Sequence, residues 1–178
     1  GERLPFADAH FDVTLADVTV GELRDRAGFL ADLARVTKPG ATLVVATLVR
    51  GSWAEFLDIF HDVLTGRGKP EPIAALDAYL AAQPEGEGIA RDLEAAGLGE
   101  VEVELDHWEL LFRSARELLY APVVEHGPLE RWKEIAGKGA EMQETFLAAK
   151  EAIETYFGGR TFAVTLRAAA VRARKPLS

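Results

Sequence analysis

FDVTLAD (residues 11–17) and FLADLARVTKPGATLVVATL (residues 29–48) decide how this chain folds. Phe11 to Asp17 is apolar and partly β-branched, the composition of a strand. From Glu22 to Val36, residues Leu23, Phe29, Leu30, Leu33 and Val36 recur at helical spacing. Lys38-Pro39-Gly40 should stop that helix, because proline lacks a donor and glycine accepts left-handed angles. Ala41 to Leu48 is an unbroken apolar run, as expected of a parallel strand buried on both faces.

Downstream, Ser52 is expected to cap a helix with Glu55 as its box partner, turning Trp53, Phe56, Leu57, Phe60 and Leu64 inward. Pro70 and Pro72 should break the chain before a short helix over Ile73 to Ala82. A third helix is predicted from Ile89 to Ala96, ending at Gly97-Leu98-Gly99. Val101 to Phe112 opens with apolar and acidic residues in alternation, a half-exposed strand. Ser114, with Glu117, should cap the next helix. One or two helices are expected up to Gly137, interrupted near Gly127-Pro128. A long helix runs from about Glu141 to Phe157 and closes at Gly158-Gly159. Arg160 to Arg172 is the last strand. Strands alternating with helices imply an α/β sheet. No repeat, low-complexity tract or linker is seen, so residues 1–178 read as a single domain.

Composition narrows the function. Hydrophobic residues make up 48% and charged residues 28% of the 178, the balance of a globular domain. No run approaches the roughly 20 apolar residues of a membrane helix. No signal peptide is visible, and a cytoplasmic location is expected. The absence of cysteine excludes disulfides, zinc–thiolate sites and thiol nucleophiles. A net charge of -9 disfavours nucleic acid and anionic membranes as partners. The basic cluster Arg160, Arg167, Arg172, Arg174 and Lys175 reads as an edge strand guarded by charge. The chain opens with Gly1 and its one methionine is Met142, so it reads as tagged or cut from something longer.

Three segments carry a resemblance. Leu4-Pro5-Phe6-Ala7-Asp8-Ala9-His10-Phe11-Asp12-Val13 resembles the entry to the fourth strand of class I S-adenosylmethionine-dependent methyltransferases. Phe29 to Gly40 is similar to that family's "RVLKPGG" passage into the fifth strand, with Thr37 for the usual Leu and Ala41 for the second Gly. Ile89 to Leu98 is similar to the helix before the sixth strand. The resemblance implies an α/β fold that is half of a Rossmann-like methyltransferase sheet. About four strands are expected, mostly parallel with an antiparallel last one. Segments of about 52–84 and 113–157 fall where the family places helical, substrate-covering insertions. They are loosely similar to those of small-molecule and acyl-carrier carboxyl methyltransferases.

The family's cofactor half is what this reading does not find. There a strand enters a glycine-rich turn, and a second strand ends in an acid that holds the ribose. Gly66-Arg67-Gly68, Gly86-Glu87-Gly88, Gly97-Leu98-Gly99 and Gly137-Lys138-Gly139 all read as caps and turns. The resemblance implies cofactor contacts at Leu4, Pro5 and Phe6, with the usual upstream acid absent or replaced by Glu2, and sets Ala16, Asp17 and Val18 toward the methionine end of the cofactor or the substrate. Asp17 is the best polar candidate, because ligands sit beyond carboxyl strand ends; a turn or helix cap is the rival role. His10, His61, His107 and His126 show neither a catalytic setting nor metal-ligand spacing. His107-Trp108 reads as half-buried packing, and Trp53, Trp108 and Trp132 as core or lid. No catalytic residue and no metal site is assigned, and no cofactor is expected to bind this chain alone. S-adenosylmethionine would bind if the other half were supplied.

In the family, the first strand lies beside the fourth. Here Phe11 to Asp17 would have no such neighbour. Phe11, Val13, Leu15 and Asp17 are therefore the expected interface, pairing with a second copy or another polypeptide. Two functions follow: a non-catalytic interaction or assembly half-domain, or a fragment of an active methyltransferase acting on a small molecule or acyl-carrier carboxyl group. A ligand-binding regulatory pseudoenzyme is a third.

Overall fold

The computed structural model describes residues 3–18 and 25–177. Gly1, Glu2, and Glu22 with Leu23 of the expected helix lie outside them. The chain divides into two compact units: residues 1–49, 84–106 and 167–178, and residues 50–83 and 107–166.

The first unit is built on the sheet. Strand β1 (Phe11–Asp17) leads to helix α1 (Arg26–Val36) and strand β2 (Thr37–Leu48). Strands β3 (Gly99–Phe112) and β4 (Phe162–Arg174) complete a four-stranded sheet in the order β1-β2-β4-β3. β1 pairs parallel with β2, from Val13↔Thr42 to Asp17↔Ala46. β2 pairs antiparallel with β4, from Thr42↔Arg174 to Leu48↔Ala168. The fold is thus α/β with a mixed sheet.

Lys38-Pro39-Gly40 lies inside β2, not in a stop loop. Between Phe11↔Thr37 and Val13↔Thr42 the register shifts, so the strand bulges there. A bulge tolerates Pro39, and Gly40 takes a left-handed φ of 76°. α1 is stopped instead by Thr37, which turns extended. Asp25 caps its other end by accepting from the Gly28 N–H at 3.0 Å.

α1 and α4 (Gly86–Ala95) cover one face of the sheet. Leu30, Leu33 and Ala34, with Ile89, Ala90 and Leu93, meet Ala16, Leu43, Val45, Ala169, Val171 and Ala173. Arg26 ties the two helices through Asp92, 2.6 Å away. α4 starts earlier than its apolar spacing predicts. Gly86 can begin it because a Cβ there would stand 2.7 Å from Val103 Cγ1.

The basic cluster is a correction. β4 is an inner strand between β2 and β3, not an edge. Arg172 reaches Glu102 at 2.6 Å and Arg174 reaches Glu100 at 3.9 Å. The charges of the two strands match pairwise, which a sequence reading of one strand does not reveal. Lys175 Nζ donates to the Ala34 and Thr37 carbonyls, each at 2.7 Å, and closes the end of α1.

The second unit is mainly helical: α2 (Ala54–Gly66), α3 (Pro70–Ala82), α5 (Ala115–Leu119), α6 (Pro122–Glu125), α7 (Leu129–Ala136) and α8 (Ala140–Phe157). Its core is aromatic. Trp132 stacks on Phe56 at 4.4 Å and meets Trp53 edge-on at 5.7 Å. Phe56, Leu57, Phe60 and Leu64 are buried as their spacing requires.

Several boundaries differ from expectation. Ser52 does not cap α2; Trp53 holds that position in the left-handed region, without a side-chain bond. Glu55 instead accepts from the Thr165 N–H at 2.9 Å, a long-range partner that outcompetes the local box. Pro70 and Pro72 lie in the first turn of α3, where a missing N–H costs nothing. Ser114 does cap α5, accepting from the Glu117 N–H at 3.1 Å. Between α5 and Gly137 two further short helices form, split by Pro122 and Pro128. His107 and Trp108 are exposed rather than half-buried, with Trp108 at 42%.

Candidate functional site

Two places on the first unit gather the residues singled out by sequence. One is the loop entering β1. The Leu4 N–H donates to Asp32 Oδ2 at 2.5 Å. Arg35 spreads its guanidinium over the same loop. It donates to Phe6 O at 2.8 Å, Leu4 O at 3.2 Å and Asp8 Oδ1 at 2.7 Å, while its Nε holds Asp32 Oδ1 at 2.5 Å. The Arg35 guanidinium holds the Asp32 and Asp8 carboxyls below the usual carboxylate range. The two carboxylates, Asp32 foremost, raise Arg35 in return. This hub was not singled out by sequence. Its only signal is the acid–base pair three residues apart on α1, facing back over the loop. Next to it, Phe6 stacks near His10 and both meet Phe11 edge-on, at 4.9 and 4.7 Å.

The other place is the carboxyl end of β1. Asp17 is exposed there, and Val18 N–H continues the ladder to Ala46 O at 2.8 Å. Asp25, not Asp17, caps the following helix. Ala16 is buried in the core beneath the helices. Phe11 and Asp17, the two ends of the strand, stand about 20 Å apart at roughly 3.3 Å per residue. The structure therefore groups Leu4 and Phe6 around Arg35 and sets Asp17 apart at the far end of the strand.

The edge and face of β1 are the remaining feature. β1 has β2 on one side and stands at the end of the sheet. Val13 and Leu15 are 65% and 71% exposed, on the face away from α1 and α4. Their paired neighbours there are Thr42 and Val44, each half-buried. Phe11 is half-buried. Asp12 points to the other face and is held by Lys38 at 2.8 Å, which keeps its carboxyl below the usual range. The opposite edge, β3, carries Glu102, Glu104 and Asp106 and also exposes Leu105 and Leu111.

A methyl-donor nucleoside needs a strand, a glycine turn of close main-chain approach, and a helix N-terminus in that order. Among the described residues, no glycine stands so. Gly66 closes α2, Gly86 is packed under the sheet, Gly97 turns from helix to strand, and Gly137 and Gly139 lie between α7 and α8. The described residues do not supply that arrangement. Nor do the described residues hold a group of three or more metal-ligating side chains, and no helix among them is long and apolar enough to cross a membrane.

Residues 1–45 match the methyltransferase domain family. The chain is 33% identical over 109 residues to a demethylmenaquinone methyltransferase of Mycobacterium sp. (strain KMS) and 30% identical over 111 residues to that of Streptomyces griseus. The matches cover 56% and 57% of this chain but 47% and 48% of those proteins, so it spans about half the length of the curated relatives it matches. Among solved structures, the YcgJ protein of Bacillus subtilis superposes with a TM-score of 0.53 at 14% identity, covering 98% of this chain and 68% of that one. A methyltransferase structure from Bacillus halodurans gives 0.50 at 19% identity, covering 99% and 70%.

Proposed function

From the premise that the chain is related to the class I S-adenosylmethionine-dependent methyltransferases and carries their fold, we propose that it is a half-domain that works by taking a further strand along β1 and does not transfer methyl groups alone. One observation carries this reading: among the described residues β1 ends the sheet with β2 as its one neighbour, and it exposes the apolar side chains Val13 and Leu15. In a parallel sheet with crossover helices both faces are normally covered. Here both helices of the first unit lie on one face. A strand arriving beside β1, with whatever covers it, would bury what is left bare.

Calorimetric titration with S-adenosylmethionine tests the proposal. The chain by itself should give no saturable heat. Saturable binding to the chain alone would overturn it, since a nucleoside site would then exist without the added half.

A second reading is favoured by the relatives. Their identity to this chain lies in enzymes named for a small-molecule acceptor. On that reading the chain is the acceptor-side portion of a small-molecule methyltransferase, its cofactor half supplied by another segment at the same edge. Acyl-carrier carboxyl groups remain the alternative acceptor class. It predicts that binding of the cofactor appears only in a mixture with a polypeptide carrying strand, glycine turn and helix.

A further inference from the structure

We infer that β3 is a docking edge for a second copy of this chain, the two β3 strands running antiparallel about Trp108. The inference goes beyond the half-domain reading and does not depend on what adjoins β1. Three observations support it.

The first is the place of β3. Among the described residues it ends the sheet, with β4 as its one neighbour. The start of the strand serves that neighbour, where Glu100 and Glu102 reach Arg174 and Arg172. From Glu104 to Glu109 every side chain is exposed, on both faces of the strand. Edge strands are commonly shielded by lysine or proline, and β3 contains neither. It carries apolar side chains instead: Leu105 is 67%, Trp108 42% and Leu111 63% exposed.

The second is the register. Directly opposite residues share a face, so a strand that pairs two-fold with its own copy is centred on one residue. About Trp108, Leu105 lies opposite Leu111 and His107 opposite Glu109, each pair occurring twice. The exposed leucines cover one another, and an imidazole donor meets a carboxylate. The imidazole has two nitrogens, so it can also serve a partner inside its own chain. Asp106 lies opposite Leu110 and Glu104 opposite Phe112, so no acid faces an acid. Neighbouring centres do worse. Asp106 or Glu109 at the centre sets an acid against itself. His107 there sets Leu105 against Glu109, and Leu110 there sets Leu111 against Glu109.

The third is the axis itself. It brings Trp108 of one copy against Trp108 of the other, and cross-strand aromatic pairs are among the stronger ones. The acids that flank the stretch do not oppose this, because the register places each beside an apolar residue.

Sedimentation analysis with charge-swapped variants tests the register, at about 0.15 M salt, where charges more than roughly 8 Å apart are screened. The native chain should approach twice 19.4 kDa as its concentration rises. Leu105→Lys and Leu111→Glu should each remain at 19.4 kDa, since each sets a charge against a leucine. Mixed together they should regain the doubled mass, because Lys at 105 then faces Glu at 111 of the other copy while the second leucine pair is kept. Both side chains are exposed, and unchanged circular dichroism checks folding. Glu109→Lys, which reverses both His107 pairs, should weaken association roughly tenfold. Tryptophan emission gives a second readout. Trp53 and Trp132 are already buried, so a blue shift on association reports Trp108 and should vanish in Trp108→Phe. A native chain that stays at 19.4 kDa at every concentration overturns the inference. So does a doubled mass that survives Leu105→Lys and Leu111→Glu, or a mixture of the two that fails to recombine. None of these results bears on the half-domain reading, which cofactor binding decides.

Discussion

Alanine at Trp132 is expected to cost the second unit about 4 kcal/mol of folding stability. The indole is completely buried, at 0% exposure, and fills the centre of the aromatic core between Trp53 and Phe56. Truncation removes its transfer energy and leaves a cavity that rigid rings cannot close. All three tryptophans, Trp53, Trp108 and Trp132, belong to this unit, so urea unfolding followed by fluorescence reads it directly. Phenylalanine at the same position should lose much less. The indole Nε1 has no hydrogen-bond partner among the described residues, and removing a buried unpaired donor offsets part of the lost area. A Trp132→Ala variant whose transition is unmoved would show that the aromatic stack does not hold this unit together.

Lys175→Met should destabilise the first unit by about 2 kcal/mol. The ammonium donates to carbonyls at the end of α1, Ala34 and Thr37 at 2.7 Å and Arg35 at 3.4 Å. These are among the groups a helix leaves without partners, and their partial negative charge favours a cation. Methionine keeps the stem's packing and removes the donor, so the effect isolates the cap. Circular dichroism in urea, with amide exchange across α1, measures it. Arginine, which keeps charge and donors, should recover part of the loss. The consequence extends to the β1 loop, because α1 also carries Asp32 and Arg35, which hold Leu4, Phe6 and Asp8.

The parts of the fold legible in sequence are those where local pattern and tertiary demand agree. β1 needed no correction, and α8 began one residue earlier than its pattern, because alternation, helical spacing and Gly158-Gly159 all point the same way. The succession of strands and helices along the chain followed from the same signals. Where a long-range partner competes, the local signal fails. Ser52 and Glu55 form a good capping box on paper, yet Thr165 takes the carboxylate from 110 positions away. Lys38-Pro39-Gly40 is a helix stop on paper, yet β1 draws it into a bulged strand. The arginines of β4 read as an edge guard because their partners, Glu100 and Glu102, belong to another strand. The Arg35 hub was hidden for the same reason: its contacts are main-chain carbonyls of a loop far upstream, and carbonyls carry no sequence signal.

Amide hydrogen exchange along β1 tests the open edge most directly. Thr14 and Ala16, whose N–H groups face β2, should be protected at every protein concentration. Val13 and Leu15 should exchange freely in the isolated chain and slow when a polypeptide that supplies a strand beside β1 is added. Slow exchange at Val13 and Leu15 in the most dilute sample would mean that the chain's own residues already close this side of the sheet, and the account would fall.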